Sequence, residues 1–458
     1  MNYTLALVLA LSNFWFGYEI GIFNPVGDKM LIAKYGYEEG TEGDAKSKRD
    51  TILGLLNNVF SVGALFGVLM AGPLADKLGR KPVTYISDLL AILCAALFFI
   101  VQIEILMIAR FMAGIVAGLY NAIGAVILAE LMPNTVSGFG NALGYVFITL
   151  SILTTSCLPL IFGDDILITH CNYFLMLPGF VPLVKLLTIP FLMKSDTPKY
   201  IFNSNVDKAR ARELIVDAYS HIYEADYIQN IADETVTNLD QQELAGKITF
   251  STLFTPKYRA RIFSGVFLCF AQQMSGINYL IFYSNELFKK SGKEKTMTFV
   301  IGLANFVGSA VALYAIRRFG RKFNIVFGSL GQALGMLLLF LGFKFDSFPI
   351  LACSCVVFVW SFAIGLGGSQ MAYISEILPP IGVSISCSVQ WIMTAIIAQV
   401  MLPADRVFGS TVMILFFTAM CTLFFFTLDY LMIETKDKSE ATINSDFENK
   451  SYKFLNFK

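Results

Sequence analysis

Three carboxamides, Gln272, Gln273 and Asn278, fall within AQQMSGINYLIFYS (271–284), a stretch otherwise rich in Leu, Ile, Phe and Tyr. Each amide brings two donors and an acceptor, so the chemistry open to the group is neutral, two-way hydrogen bonding. On an ideal helix Gln273 and Asn278 stand about 500° apart, which leaves them ~140° off a common face. They converge only if the helix is interrupted between them. Ser275-Gly276 occupies that gap, and kinks fall preferentially at Gly and Ser. The alternative is that the amides join helices to one another, each for ~0.6–2 kcal/mol. Other chemistries find little support. The only histidines are His170 and His221, which argues against clustered imidazoles around a metal, and no nucleophile–base constellation appears. No cofactor is expected, and the chain does not read as an enzyme.

The elements that must position these groups are membrane helices. Of 458 residues, 56% are hydrophobic and 15% charged, with a mean hydropathy of +0.64. Soluble domains carry nearer a quarter charged residues. ILCAALFFIV (92–101), IGLANFVGSAVALYAI (301–316) and MILFFTAMCTLFFFTL (413–428) contain no charge at all. Spans of about 20 mostly apolar residues suit a ~30 Å hydrocarbon layer. The pattern predicts twelve: 3–26, 52–73, 83–102, 105–131, 138–163, 173–193, 258–288, 296–316, 323–343, 348–375, 380–403 and 409–433. The first apolar run starts too early, and with too little basic charge ahead of it, for a signal peptide, so it reads as a membrane helix. A net charge of zero suggests no nucleic-acid partner. Cys94, Cys269, Cys353 and Cys421 lie inside apolar spans and read as small hydrophobes rather than a disulfide framework.

Basic residues set the orientation. Lys77, Arg80 and Lys81 follow the second span, Arg317, Arg318, Arg321 and Lys322 follow the eighth, and 194–261 is rich in Lys and Arg. The positive-inside rule makes these loops, and with them both termini, cytoplasmic. DKLGRK (76–81) recurs as RRFGRK (317–322), AELMP (129–133) as SEILP (375–379), and SDTPK (195–199) as IETKD (433–437). The offsets between Gly79 and Gly320, Glu130 and Glu376, and Asp196 and Glu434 are 241, 246 and 238. Three motifs in one order at nearly one offset indicate an internal duplication, an arrangement in which transporters hold substrate near the midplane. The fold expected is an all-α integral membrane protein of twelve transmembrane helices in two six-helix halves. Its parts are an amino-terminal half (1–193), an intracellular helical domain (194–257), a carboxy-terminal half (258–433) and a polar, disordered cytoplasmic tail (434–458).

GPLADKLGRKP (72–82), SDTPKY (195–200), IETKDKS (433–439) and QQMSGINYLIFYS (272–284) together resemble the sugar porter family of the major facilitator superfamily, across nearly the whole chain. The seventh-span string matches that family's Q-Q-x-S-G-x-N-x-x-x-[FY]-Y-S. A hydroxyl-rich, uncharged solute needs bifunctional neutral partners, and the resemblance gives that role to Gln272, Gln273 and Asn278, with Asn305 completing the side. It places Tyr145 where the family has a glutamine in the fifth helix. Met371 stands where the tenth helix has a tryptophan, within GLGGSQMAY (365–373), which has lost both prolines of the family's motif. Trp391 keeps the aromatic of the eleventh. The substrate implied is a hexose; alternatives are a polyol or inositol, or a non-transporting sugar receptor on the same fold.

Glu19, in FWFGYEIGIFNP (14–25), is a carboxylate inside the first span, and such groups usually find a partner. Rise per residue puts Glu19 ~24 Å from the inner face and Arg110 ~9 Å from the outer one. These depths agree, so Arg110 is its candidate partner. The resemblance implies a proton-coupling role for an acid here, though uncoupled members carry one too, so symport and uniport both stay open. The family's cytoplasmic gate maps to Asp76, Arg80, Lys81, Glu130, Arg321, Lys322 and Glu376. Its usual arginines after Glu130 and Glu376 are missing, with Ser137 in one place and no Arg before Ser384, which implies a weaker inner lock. The partners expected are a small sugar, a proton in the coupled case, and the lipid bilayer, with the chain acting as a monomer in the plasma membrane.

Overall fold

The computed structural model describes residues 3–35, 44–100, 102–131, 134–204, 208–220, 224–233, 250–288, 292–436, 438 and 440–450. Among them, twelve helices are long and apolar enough to cross a membrane: Thr4–Gly27, Lys48–Leu78, Arg80–Phe98, Ile103–Leu128, Leu143–Thr169, Cys171–Leu192, Tyr258–Ser284, Glu294–Ile316, Arg321–Lys344, Phe348–Ile377, Ile381–Phe408 and Ser410–Leu431. They are the first to twelfth spans below. Several run past the stretches that apolarity marks. The second helix starts at Asp44 because its leading DAKSKRD turns are charged and need no hydrocarbon around them. The fifth continues to Thr169 through a kink at Gly163.

The chain divides into two compact units. One comprises Met1–Phe16, Gly63–Ile148 and Leu175–Ile248; the other comprises Gly17–Val62, Thr149–Phe174 and Thr249–Lys458. The first has its own apolar core, in which Leu9, Val83, Ile127 and Ile189 of the spans meet Ile201, Ile215, Tyr219 and Ile228 of the segment that follows the sixth span. The expected amphipathic helices of that segment are present at Pro198–Ser204 and Lys208–Tyr219 and at 225–233, while 234–249 lies outside the described residues. The second unit's core gathers Leu268, Tyr279, Tyr283, Met336, Phe358, Phe417 and Phe424. It also takes in Ile443 and Phe447, because the described part of the tail is folded rather than disordered as its polarity implies. A helix spans Glu440–Asn449, burying those two side chains, and Lys450 Nζ donates to Met432 O at 2.7 Å. Burial, reinforced by nearby Lys322, pushes that ammonium down to about 8.

The duplication seen in sequence holds at the level of single hydrogen bonds. Gly79 and Gly320 separate consecutive spans with nearly identical backbones, φ 97° and ψ 164° against φ 96° and ψ 172°. After each, the next helix starts with unpaired N–H groups. Asp196 accepts from the Arg80 and Lys81 N–H at 3.0 and 3.2 Å; Glu434 accepts from those of Arg321 and Lys322 at 2.9 and 3.1 Å. The guanidinium of Arg80 holds both oxygens of Glu130, at 3.1 and 2.9 Å. Arg321 reaches Glu376 Oε1 at 3.1 and 2.7 Å. Asp76 is 3.5 Å from Arg80 and largely exposed, and Lys322 pairs with Asp429 at 2.9 Å. Of Ser137 and Arg317 only the backbone is described. An acid at a helix N-terminus is stabilising, so Asp196→Ala, like the loss of a cap, will cost about 0.5–2 kcal/mol. It will appear as a lower melting temperature of the purified protein in detergent; an unchanged one would deny Asp196 the capping role.

Candidate site at the broken seventh span

The seventh span is two helices, Pro256–Met274 and Ile277–Phe288, with Ser275-Gly276 between them. Gly276 has φ +93°, and a Cβ there would sit 2.8 Å from Met336 Cε and 2.9 Å from Phe417 Cγ. Glycine alone meets both demands. The freed backbone finds new partners: Ser275 Oγ donates to Gln272 O at 2.7 Å, and Cys421 Sγ to Ser275 O at 3.4 Å.

The break brings the amides together. Asn278 Nδ2 donates to Gln273 Oε1. Gln273 Nε2 donates to Gln272 Oε1 at 3.2 Å, and Gln272 Nε2 to Leu366 O of the tenth span at 3.2 Å. Thr394 Oγ1 of the eleventh span also donates to Gln273 Oε1, at 3.0 Å. The chain of amides therefore faces the tenth and eleventh spans, away from lipid. Gln273 is buried, 4% exposed, while Gln272 and Asn278 are half-buried. Their capacity is not used up. Asn278 Oδ1, and one N–H on each of the three amides, meets no partner among the described residues. A row of neutral donors and acceptors with unfilled valence is suited to an uncharged, hydroxylated solute.

Asn305 is buried at 2% exposure in the eighth span. Trp391 is also buried, its ring edge-on to Phe60 at 6.4 Å. Tyr145 is half-buried in the first unit. Met371 is 39% exposed, and its sulfur lies 3.9 Å from Cys387 Sγ rather than beside the amides. Its neighbour Gln370 turns inward instead, fully buried, with Nε2 3.4 Å from Gln390 Oε1 and 3.1 Å from Cys269 Sγ. Gln370 Oε1 meets no partner among the described residues. Sequence reasoning did not select Gln370 or Thr394. Thr394 lies one helical turn after Gln390, a spacing that shares a face, and that was the available signal.

Glu19 and Arg110 are both buried, 1% and 0% exposed. A further charged cluster, which the sequence reading passed over, lies wholly inside the first unit. Lys185 Nζ of the sixth span and Tyr120 OH of the fourth both donate to Asp88 Oδ1 of the third, each at 2.6 Å. Lys185 Nζ also lies 3.8 Å from the Tyr120 ring centroid. Asp88 and Lys185 have fully buried side chains. Asp88 Oδ2 meets no partner among the described residues. Trp15, one turn before Glu19, stands edge-on to Tyr120 at 5.6 Å.

Comparisons with known proteins agree with this architecture. A "facilitated glucose transporter homolog" of Caenorhabditis elegans is 25% identical over 463 residues, covering 96% of this chain and 88% of its own length. "Solute carrier family 2, facilitated glucose transporter member 1" of Gallus gallus is 25% identical over 454 residues, covering 94% and 90%. Among solved structures, the major facilitator superfamily proton:xylose symporter XylE bound to 6-bromo-6-deoxy-D-glucose has the same fold. Its TM-score is 0.80 at 19% identity, over 97% of this chain and 98% of that one. The inward-open form of XylE from E. coli gives 0.78 at 19% identity, over 97% and 99%. Residues 5–447 match the family model described as "Sugar (and other) transporter"; with a match of that extent, the chain belongs to the sugar transporter family.

Proposed function

We propose that this protein carries a hexose across the membrane by alternating access, its halves 1–193 and 258–433 rocking about a midplane site. The observation that carries the reading is the linked row of Gln272, Gln273 and Asn278 at the broken span, with donors and an acceptor still unfilled. Asn305 extends the row and Trp391 adds an aromatic face, whereas Met371, turned to Cys387, stands apart from it. The reading is supported by relatives named as facilitated glucose transporters and by a shared fold with a symporter solved with a glucose derivative. The basic loops favour cytoplasmic termini, and the protein works as a monomer in the plasma membrane. The test is uptake of radiolabelled hexose and inositol in proteoliposomes. Saturable hexose uptake supports the proposal; transport of inositol alone reassigns the carrier to polyols, and transport of neither leaves the sugar-receptor reading.

Glu19 decides the coupling. A buried carboxylate, 1% exposed, is costly in a membrane unless neutralised by a partner or a proton. With Glu19 as the proton carrier, uptake will rise as the external pH falls, collapse with a protonophore, and lose both responses in Glu19→Gln. Uptake indifferent to pH and protonophore assigns facilitated diffusion instead.

A further inference from the structure

At the ends of the spans remote from the Gly79 and Gly320 turns, the second unit holds two sets of charges that tie segments of the amino-terminal half to spans of the carboxy-terminal half. Asp164 of the fifth span pairs through Oδ1 with Lys29, in the helix Phe23–Tyr35. Through Oδ2 it pairs at 2.7 Å with Lys295, which opens the eighth span. Asp50, at the head of the second span, pairs with Arg406 near the end of the eleventh. The Asp50 side chain is only 5% exposed, the others between 22% and 39%. Beneath these charges the contacts across the halves are neutral. Asn24 Nδ2 donates to Ser284 Oγ at 2.7 Å, and Asn58 Nδ2 to Gln399 Oε1 at 3.4 Å.

We propose that Asp164 with Lys29 and Lys295, and Asp50 with Arg406, form a charge clasp over the outer mouth of the carrier. It sets how often that mouth opens to admit substrate. This inference rests on the transport reading. Amides and hydroxyls of the neutral layer exchange one another for water at little net cost when the halves part. Charges differ, because their attraction reaches further than a neutral hydrogen bond, and it is strongest at Asp50, whose side chain is the most buried of the set. The arrangement also makes each acid hold apart like charges. Without Asp164 the two lysines that share it face each other, and without Asp50 Arg406 is left to the field of Arg49, which already acts on it. The inner end lacks the arginines that its family resemblance leads one to expect, whereas the outer end holds these ion pairs. The two features push the same way, toward a carrier that rests closed to the outside.

The test reads the mouth directly. Asn58→Cys, just under the clasp, is placed in full-length protein with its native cysteines replaced, and a membrane-impermeant maleimide is applied to intact cells. Asp50→Asn and Asp164→Asn are each expected to speed labelling by about tenfold or more, which corresponds to some 1.4 kcal/mol. The reversed pair Asp50→Arg with Arg406→Asp is expected to bring the rate back toward background while keeping surface expression. The clasp is overturned by labelling that neither single variant changes, or by a reversed pair that labels as fast as Asp50→Asn alone. Labelling needs no sugar, so a failure of hexose uptake overturns the transport assignment and leaves the clasp standing.

Discussion

Gln273→Ala and Asn278→Ala will each remove most sugar uptake while leaving surface expression unchanged. Gln273 is the hub of the amide row, accepting from Asn278 and Thr394 and donating to Gln272. On the proposed reading its truncation deletes a contact with the sugar, and it also releases the two donors that it orients. Each lost hydrogen bond is worth about 0.5–1.5 kcal/mol net. Two or three together lower affinity by one to two orders of magnitude, at about 1.4 kcal/mol per decade. Asn278, with its unfilled Oδ1, loses a direct contact of similar size. The measurement is initial uptake rate against sugar concentration in proteoliposomes, with a melting temperature taken on the same preparation. A role confined to joining helices would show in the melt and spare the kinetics of whatever protein remains folded. Normal kinetics in both variants would remove the amides from the site.

The second large effect lies in the first unit. Lys185→Met strands the Asp88 carboxylate in a fully buried position, with the Tyr120 hydroxyl as its remaining donor. Removing one member of a buried pair costs about 3–5 kcal/mol, while replacing both by apolar residues is often neutral or better. Lys185→Met and Asp88→Leu are therefore each expected to lower the melting temperature strongly, and the double variant to recover most of the loss. A double variant as unstable as the singles would show that the charges are held by something beyond each other. If the double variant is stable yet transports poorly, the pair is there for function. Its edge-on link through Tyr120 to Trp15, one turn from Glu19, is the first place to look.

Why one buried charge was legible in sequence and another was not comes down to context. Glu19 stands in a string that resembles a known pattern, and its depth can be matched to Arg110 by counting residues. Asp88 and Lys185 each appear as a single charge in an apolar run, 97 positions apart, and nothing local joins them. Counting from the nearest loop motif puts Asp88 ~12 Å and Lys185 ~10 Å from the same end, so the pairing was open to the same arithmetic. The twelve spans were legible because hydrocarbon selects long apolar runs. Their full lengths were not, since a helix goes on into charged sequence wherever its backbone bonds remain satisfied, as at Asp44. The interruption at Ser275-Gly276 followed from two amides that no straight helix brings together. Gln370 escaped notice because GLGGSQMAY reads as a flexible stretch. In fact a π turn at Ala363–Gly367 runs into it and a helix starts within it at Gln370, which rotates that amide inward. The tail was misjudged on composition; Ile443 and Phe447, four residues apart, present one apolar face, and that suffices to dock it.

The elbow in the seventh span has one more consequence. Gly276 is held at a positive φ with Met336 and Phe417 filling the space where a side chain would project, and the liberated carbonyls already have hydroxyl and thiol donors. The bend is thus braced from both sides, by packing at Gly276 and by donors on its carbonyls. A joint braced by its own neighbours keeps the three amides in one arrangement, which lowers the conformational entropy that binding must remove.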